Sequence, residues 1–169
     1  APTTLYAAVG GVYRSVNGGL TWTSANGNLP PAVTSGDGTV SAIVIDSFSP
    51  GVNPIWGNLY AAADGSGVYT SSDGGATWSI MAGIPAPDTA VATLLLDPLP
   101  PATLYAGTTS GKVFRTPIGS GTWSAFGIAV ARIERTYFLL FGSRAAGIKW
   151  LSRCSRRSWQ GGHVPCVFS

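Results

Sequence analysis

Three aspartates in loop-like stretches are the carboxylates that this sequence offers for chemistry. Asp37 lies between glycines, Asp64 begins an Asp-Gly-Ser-Gly stretch, and Asp88 follows a proline-rich stretch. Hydrolysis of a glycosidic bond needs two carboxylates on either side of the bond, about 5–10 Å apart. Asp37 and Asp64 are therefore the candidate catalytic residues. A plain loop is the competing interpretation for Asp37, and a simple turn is the competing one for Asp64.

Other catalytic chemistry has little support in the sequence. The single histidine, His163, would have to be recruited from the last residues for a Ser–His–Asp site. Neither a G-x-S-x-G elbow nor a G-x-x-x-x-G-K-[ST] phosphate loop is present. The two cysteines, Cys154 and Cys166, favour a disulfide over a zinc site with His163, because paired C-x₂₋₄-C spacing is absent. We therefore predict no metal and no cofactor.

Three further residues are candidates for binding a ligand. Trp56 lies in an Asn- and Pro-containing loop, and an exposed aromatic face suits a sugar ring. Burial of Trp56 against a neighbouring loop is an equally supported alternative. Arg14 and Arg115 occupy matched positions in two similar segments and are candidates for a shared role on one face of the protein.

These residues are set in a repeat that extends over most of the chain. Three segments each begin with Leu-Tyr-Ala, continue through a Val-Tyr or Val-Phe strand pattern, and end at a tryptophan. The separations from tyrosine to tryptophan are 16, 18 and 18 residues. The repeated tryptophans are Trp22, Trp78 and Trp123. Such self-similarity at a period of about 40–50 residues is typical of stacked structural units.

Each repeat reads as short strands separated by turns. Aromatic and β-branched runs alternate with glycine-rich pieces, which predicts strand, turn, strand, turn, strand. A further strand precedes the second and third repeats, at residues 40–45 and 91–96, and ends at Asp46 and Asp97. Four short antiparallel strands per repeat predict an all-β fold of about three β-propeller blades, the first of which begins at its second strand.

Residues 71–78, Ser-Ser-Asp-Gly-Gly-Ala-Thr-Trp, resemble the Asp-box (BNR) repeat Ser-x-Asp-x-Gly-x-Thr-Trp. This motif occurs in propellers of sialidases, xyloglucan-cleaving enzymes and sortilin-type receptors, and the resemblance covers residues 1–127. The first repeat has Asn17 at the aspartate position. In the third repeat Ile118 and Ser120 stand at the aspartate and glycine positions, so that turn must be held in another way.

The Asp-box residues are predicted to be structural. A short acceptor side chain between two strands can bind turn N–H groups while glycine supplies positive φ angles. Asp73 and Asn17 are expected to do so, and Trp22, Trp78 and Trp123 are expected to be buried in the core. The resemblance implies that the box lies away from the central ligand-binding face.

Charge divides the chain into two parts. Residues 1–131 carry a net charge of −3 and residues 132–169 carry +6, within a chain of +3. We predict propeller blades over 1–131 and a basic, non-repeating tail over 132–169, in which residues 137–141 could add one strand. Because the body is mildly acidic, no nucleic-acid partner is predicted. No apolar run is long enough to span a membrane, and a secreted or periplasmic location is expected.

Two functional classes follow from these features. The first is a carbohydrate- or protein-binding module without a strong catalytic signature. The alternative is a hydrolase, either a glycoside hydrolase remnant or a promiscuous ester or phosphoester hydrolase. Three blades would leave terminal faces and a strand edge open, whereas closed propellers have roughly four to eight blades. We therefore expect a homo-oligomer, a dimer whose two chains complete one ring.

Overall fold

The computed structural model describes residues 3–34, 40–47, 57–63 and 65–126, which form antiparallel sheets joined by turns and loops. The first sheet contains β1 (Leu5–Ala8), β2 (Val12–Ser15) and β3 (Thr23–Ser24). The second contains β4 (Val40–Asp46), β5 (Asn58–Ala63), β6 (Gly67–Ser71) and β7 (Ser79–Met81). The third contains β8 (Val91–Asp97), β9 (Thr103–Thr108), β10 (Val113–Pro117) and β11 (Ser124–Ala125). One helical turn, α1 (Pro31–Thr34), precedes β4. We call the sheets the first, second and third blade.

The strands of each blade follow one another in sequence order. The second blade is ordered β4-β5-β6-β7, and the third repeats this order as β8-β9-β10-β11. Even an irregularity recurs, because the register shifts after Val40 in β4 and after Val91 in β8. The first blade has only β1-β2-β3, so β1 is an edge strand among the described residues. The prediction that this blade begins at its second strand is confirmed.

The hydrophobic cores lie between blades. Successive residues of a strand point to opposite faces. In β5, Leu59 and Ala61 therefore join a cluster with Val12 of the first blade. Tyr60 and Ala62, on the other face of β5, join a second cluster that includes residues of the third blade. Each core thus needs two neighbouring blades, and the second blade is covered on both faces.

The three repeated tryptophans differ in burial. Trp78 is 4% exposed, and its Nε1 donates to the carbonyl oxygen of Ala25 in the first blade at 2.9 Å. Trp123 is half-buried and packs against the second cluster. Trp22 is 42% exposed, and its Nε1 donates at 3.1 Å to Gly19 of its own turn. The prediction that Trp22 is in the core is wrong for the single chain, because no described blade covers that face.

Candidate functional site

Asp73 organises the turn between β6 and β7. One carboxylate oxygen, Oδ1, accepts hydrogen bonds from Thr77 N at 2.8 Å and from Ser71 Oγ at 2.9 Å. The other, Oδ2, accepts from Thr77 Oγ1 at 2.5 Å. These bonds, with those from the Thr77 side chain first, lower the pKa of Asp73 to about 2. All these partners belong to its own turn, which fits the structural role predicted for Asp73.

Asn17 reproduces this network in the first blade with an amide. Its Oδ1 accepts from Thr21 N at 2.9 Å and from Ser15 Oγ at 2.9 Å, as Asp73 Oδ1 accepts from the matching groups. Its Nδ2 donates to Thr21 Oγ1 at 2.8 Å. The threonine hydroxyl is therefore the donor opposite aspartate and the acceptor opposite asparagine, since a hydroxyl can act in either way.

The third turn is held differently, as the sequence predicted. Ser120 Oγ lies 3.0 Å from Thr116 Oγ1 and accepts from Thr122 N at 3.3 Å. Ile118, at the aspartate position, packs against the second hydrophobic cluster, and its N–H donates to Ala102 O. A serine and buried apolar contacts thus replace the carboxylate.

Asp88 is buried in a polar cluster, which corrects its interpretation as a free loop carboxylate. Its Oδ2 contacts Lys112 Nζ at 2.7 Å, and its Oδ1 accepts from Ser110 Oγ at 2.7 Å. The hydrogen bond from Lys112 and then that from Ser110 hold the pKa of Asp88 below its usual value. Asp88 is only 3% exposed, whereas the side chain of Lys112 is 46% exposed. The sequence analysis missed this cluster, for which the only signal was the lone lysine of residues 1–131.

Asp46 and Asp97, which end β4 and β8, differ in environment. Asp46 is fully buried, and its charge adds to the effect of burial in raising the pKa of Tyr60. Asp97 is partly exposed, and its Oδ1 accepts from Leu99 N at 3.0 Å. The local hydrogen bond of Asp97 within its loop is typical of a turn residue.

Arg14 and Arg115 occupy equivalent strand positions but have different contacts. Arg14 Nη1 donates at 3.4 Å to Gly74 O in the second blade, and Tyr6 Oη approaches the same oxygen at 3.5 Å. The guanidinium of Arg115 lies 4.8 Å from the ring centre of Phe126, in a cation–π arrangement. Both arginines therefore contact other residues of the protein, and neither makes a described contact that points to a ligand.

The remaining candidate residues lie outside the described residues, which is the case for Asp37, Asp64, Trp56, Cys154, Cys166 and His163. The ends of the neighbouring strands are nevertheless described. Val40 pairs with Ala63 at one end of the second blade, and Asp46 pairs with Asn58 at the other. We call these the Val40 end and the Asp46 end.

The candidates are close in the sequence to residues at these two ends. Asp64 directly follows Ala63, and Asp37 is three residues before Val40. Trp56 is two residues before Asn58. The turn of Asp73 lies at the Asp46 end, since Ser71 pairs with Leu59.

The Asp88 cluster adjoins the Val40 end. Gly67 begins β6 opposite Ala63, and its N–H donates at 2.9 Å to Thr89 O, next to Asp88. Lys112, which contacts Asp88 and has a side chain that is 46% exposed, therefore belongs to a polar cluster beside this end. In the part of the chain that the structure describes, no group of three or more His, Cys, Asp or Glu residues could hold a metal ion. Among those same residues, no helix has the length and apolarity that a membrane span needs.

Comparison with solved structures identifies the architecture. The chain is similar to the GH74 enzyme of Niastella koreensis, with 28% identity, a TM-score of 0.56 and coverage of 73% of this chain and 19% of that one. It is also similar to the GH74 xyloglucanase of Xanthomonas campestris, with 19% identity, a TM-score of 0.52 and coverage of 72% and 20%. No family model and no curated protein matches the chain.

These likenesses and the repeated sheets define the class of protein. The chain is an all-β protein built from β-propeller blades, and its solved neighbours are glycoside hydrolases. It spans about a fifth of the length of either neighbour. The predicted fold class is confirmed.

Proposed function

We propose that this chain is a non-catalytic carbohydrate-binding propeller fragment whose binding site lies at the Val40 end of the second blade. The likeness at 28% identity to a GH74 enzyme carries the proposal, because it covers 73% of this chain. Polysaccharide substrates are recognised by surface clefts that combine a few polar groups with apolar surface. A fragment of such a propeller can retain binding without the complete catalytic site.

Two features favour the Val40 end. Asp37 and Asp64 are three and one residues away in the sequence from Val40 and Ala63, which pair with each other. Lys112, with a side chain that is 46% exposed, contacts Asp88 at 2.7 Å in the polar cluster beside this end. Carboxylates and an ammonium group can accept from and donate to sugar hydroxyls. The Asp46 end instead carries turns whose polar groups are engaged locally.

We further assign the turns at the Asp46 end to the Asp-box class. The support is the hydrogen-bond network of Asp73, which Asn17 repeats with the same backbone partner positions. In this assignment the turns stabilise the blades and take no part in ligand binding. The sugar site and the repeated motif then occupy opposite ends of the sheets.

Titration of the full chain with xyloglucan oligosaccharides and other soluble β-glucans, followed by calorimetry, tests this proposal. Asp37→Asn and Asp64→Asn should each weaken binding about tenfold, since each removes a charged acceptor for sugar hydroxyls. Trp56→Ala serves as the control at the opposite end and should bind as the parent does. Binding lost in Trp56→Ala and kept in both aspartate variants would move the site to the Asp46 end.

A hydrolase is the second candidate, and one observation favours it. Val40 and Ala63 pair with each other, and Asp37 and Asp64 are close to them in the sequence, which makes the two aspartates candidates for the carboxylate pair that glycoside hydrolysis requires. Measurement of reducing ends released from the same glucans, together with chromogenic esters and phosphoesters, separates the candidates. Release that is abolished in Asp64→Asn while oligosaccharide binding persists would establish the hydrolase and overturn the non-catalytic assignment.

A further inference from the structure

We propose that a second copy of this chain packs on this one, with the third blade of each copy on the open face of the first blade of the other. This assembly is independent of any sugar ligand. It is inferred from the two blade-to-blade contacts that one chain already contains.

The first blade exposes a face that the other two blades bury. Tyr13 is 38% exposed, whereas its equivalents Tyr69 and Phe114 are 8% and 4% exposed. Trp22 is 42% exposed, and its equivalent Trp78 is 4% exposed. Side chains at equivalent repeat positions are therefore buried in a core in the second blade and form an exposed aromatic surface in the first. Large exposed apolar patches of this kind mark interaction surfaces.

The third blade presents the complementary face. In the second blade, Tyr60 and Val68 face the next blade and are 4% and 0% exposed. Their equivalents in the third blade, Tyr105 and Val113, are only partly buried, because no described blade follows. Phe126 lies on the same face, with its ring 5.4 Å from that of Tyr105. This face has the chemistry that packs on a tyrosine–tryptophan surface within the chain.

The polar contacts between the first and second blades have matching groups across the proposed interface. Tyr6 Oη and Arg14 Nη1 approach Gly74 O, and Trp78 Nε1 donates to Ala25 O. By repeat position, Tyr6 and Arg14 correspond to Tyr105 and Arg115, and Gly74 corresponds to Gly18 of the partner subunit. Trp78 corresponds to the partner's Trp22, and Ala25 corresponds to Phe126. Trp22 Nε1 would exchange its bond within the exposed turn for one to the Phe126 carbonyl oxygen.

A two-fold axis gives each copy two equivalent contacts of this kind. The three described blades of two copies together number six, within the roughly four to eight blades of closed propellers. Because the contacts are aromatic and extensive, the dimer should persist at low concentration.

Light scattering coupled to size exclusion tests the assembly on the full chain at micromolar and nanomolar concentrations. We expect twice the 17.3 kDa mass of one chain at both concentrations. A folded species of 17.3 kDa at both would overturn the proposal. Trimers or open-ended polymers would overturn it as well, since they lack the closed ring of two copies.

Two single-face variants test the packing. Tyr13→Glu on the first blade and Val113→Glu on the third should each raise the dimer dissociation constant about a hundredfold or more, because each places a carboxylate in an apolar contact. Ile80→Glu, at a 59% exposed position on the middle blade, is the matched control and should remain dimeric. Circular dichroism establishes that each variant is folded.

A mixture of the two variants decides the orientation. One Tyr13→Glu chain and one Val113→Glu chain retain one unaltered contact between them, so the mixture should form dimers at concentrations where each variant alone is monomeric. Absence of this rescue, or a Val113→Glu variant that dimerises as the parent does, would overturn the head-to-tail arrangement. Contact between two first blades predicts both of those results.

Discussion

Asp73 and Asn17 perform one structural task with different side chains. Since Asn17 binds the N–H of Thr21 as Asp73 binds that of Thr77, we expect Asp73→Asn to keep most of the turn. Asp73→Ala removes the acceptor altogether and should lower the free energy of unfolding by about 1 kcal/mol. Urea denaturation at pH 7 measures both variants. A loss in Asp73→Asn as large as that in Asp73→Ala would show that the negative charge, rather than the acceptor, holds the turn.

Acid should reduce the stability difference between the parent protein and Asp73→Asn. The folded-state pKa of Asp73, about 2, lies below its unfolded value of 3.8, so its stabilisation is present above pH 3.8 and is lost as the pH falls toward 2. Asp73→Asn lacks this dependence, while Asp88 and the other carboxylates titrate in both proteins. The difference in free energy of unfolding between the parent and Asp73→Asn should therefore be smaller at pH 2.5 than at pH 7. An unchanged difference at the two pH values contradicts the assignment.

The structural role of a residue could be predicted from the sequence only where its hydrogen-bond partners are close to it along the chain. Asp73 and Thr77 are four positions apart, and their roles follow from the motif. Asp88 and Lys112 are 24 positions apart and meet only because two blades pack together. For the same reason no local pattern indicates that Asn28 binds the backbone of Trp78, 50 positions away. Contacts between blades depend on the rotation from one sheet to the next, which local spacing does not encode.

At the scale of elements, Gly75 controls how closely two blades approach. A Cβ at Gly75 would lie 2.6 Å from the carbonyl oxygen of Ala25, and its φ is +91°. Gly65, with φ of +73° and open space around it, is the matched control for backbone strain alone. We expect Gly65→Ala to cost about 1 kcal/mol and Gly75→Ala about 1–3 kcal/mol more. Thermal and urea unfolding measure both, and equal losses would mean that the close approach is unimportant.

The order of the strands was predictable, but the burial of their residues was not. Val-Tyr occurs at 12–13 in β2 and at 68–69 in β6, and both pairs form the predicted strand. Tyr69 is buried because the first blade covers it, whereas Tyr13 is exposed because nothing described does. The two dipeptides are identical, so the difference lies in their place along the array.

At the scale of the whole molecule, the two described hydrophobic clusters are built from residues of the blades. We therefore predict that a chain truncated after Gly127 keeps the β-sheet signal in far-ultraviolet circular dichroism. A wholly unfolded truncated chain would mean that the tail is needed to fold even one copy.

The location of the cores between blades has a consequence for how such a chain can change in length during evolution. Duplication of one tryptophan-to-tryptophan unit would add one blade and one complete core, while the chemistry of the two terminal faces would stay the same. Loss of part of a blade would instead break a core shared with its neighbour. Gain and loss of whole units is therefore the mutational route that this architecture tolerates, and a short array with compatible ends is a viable intermediate along it.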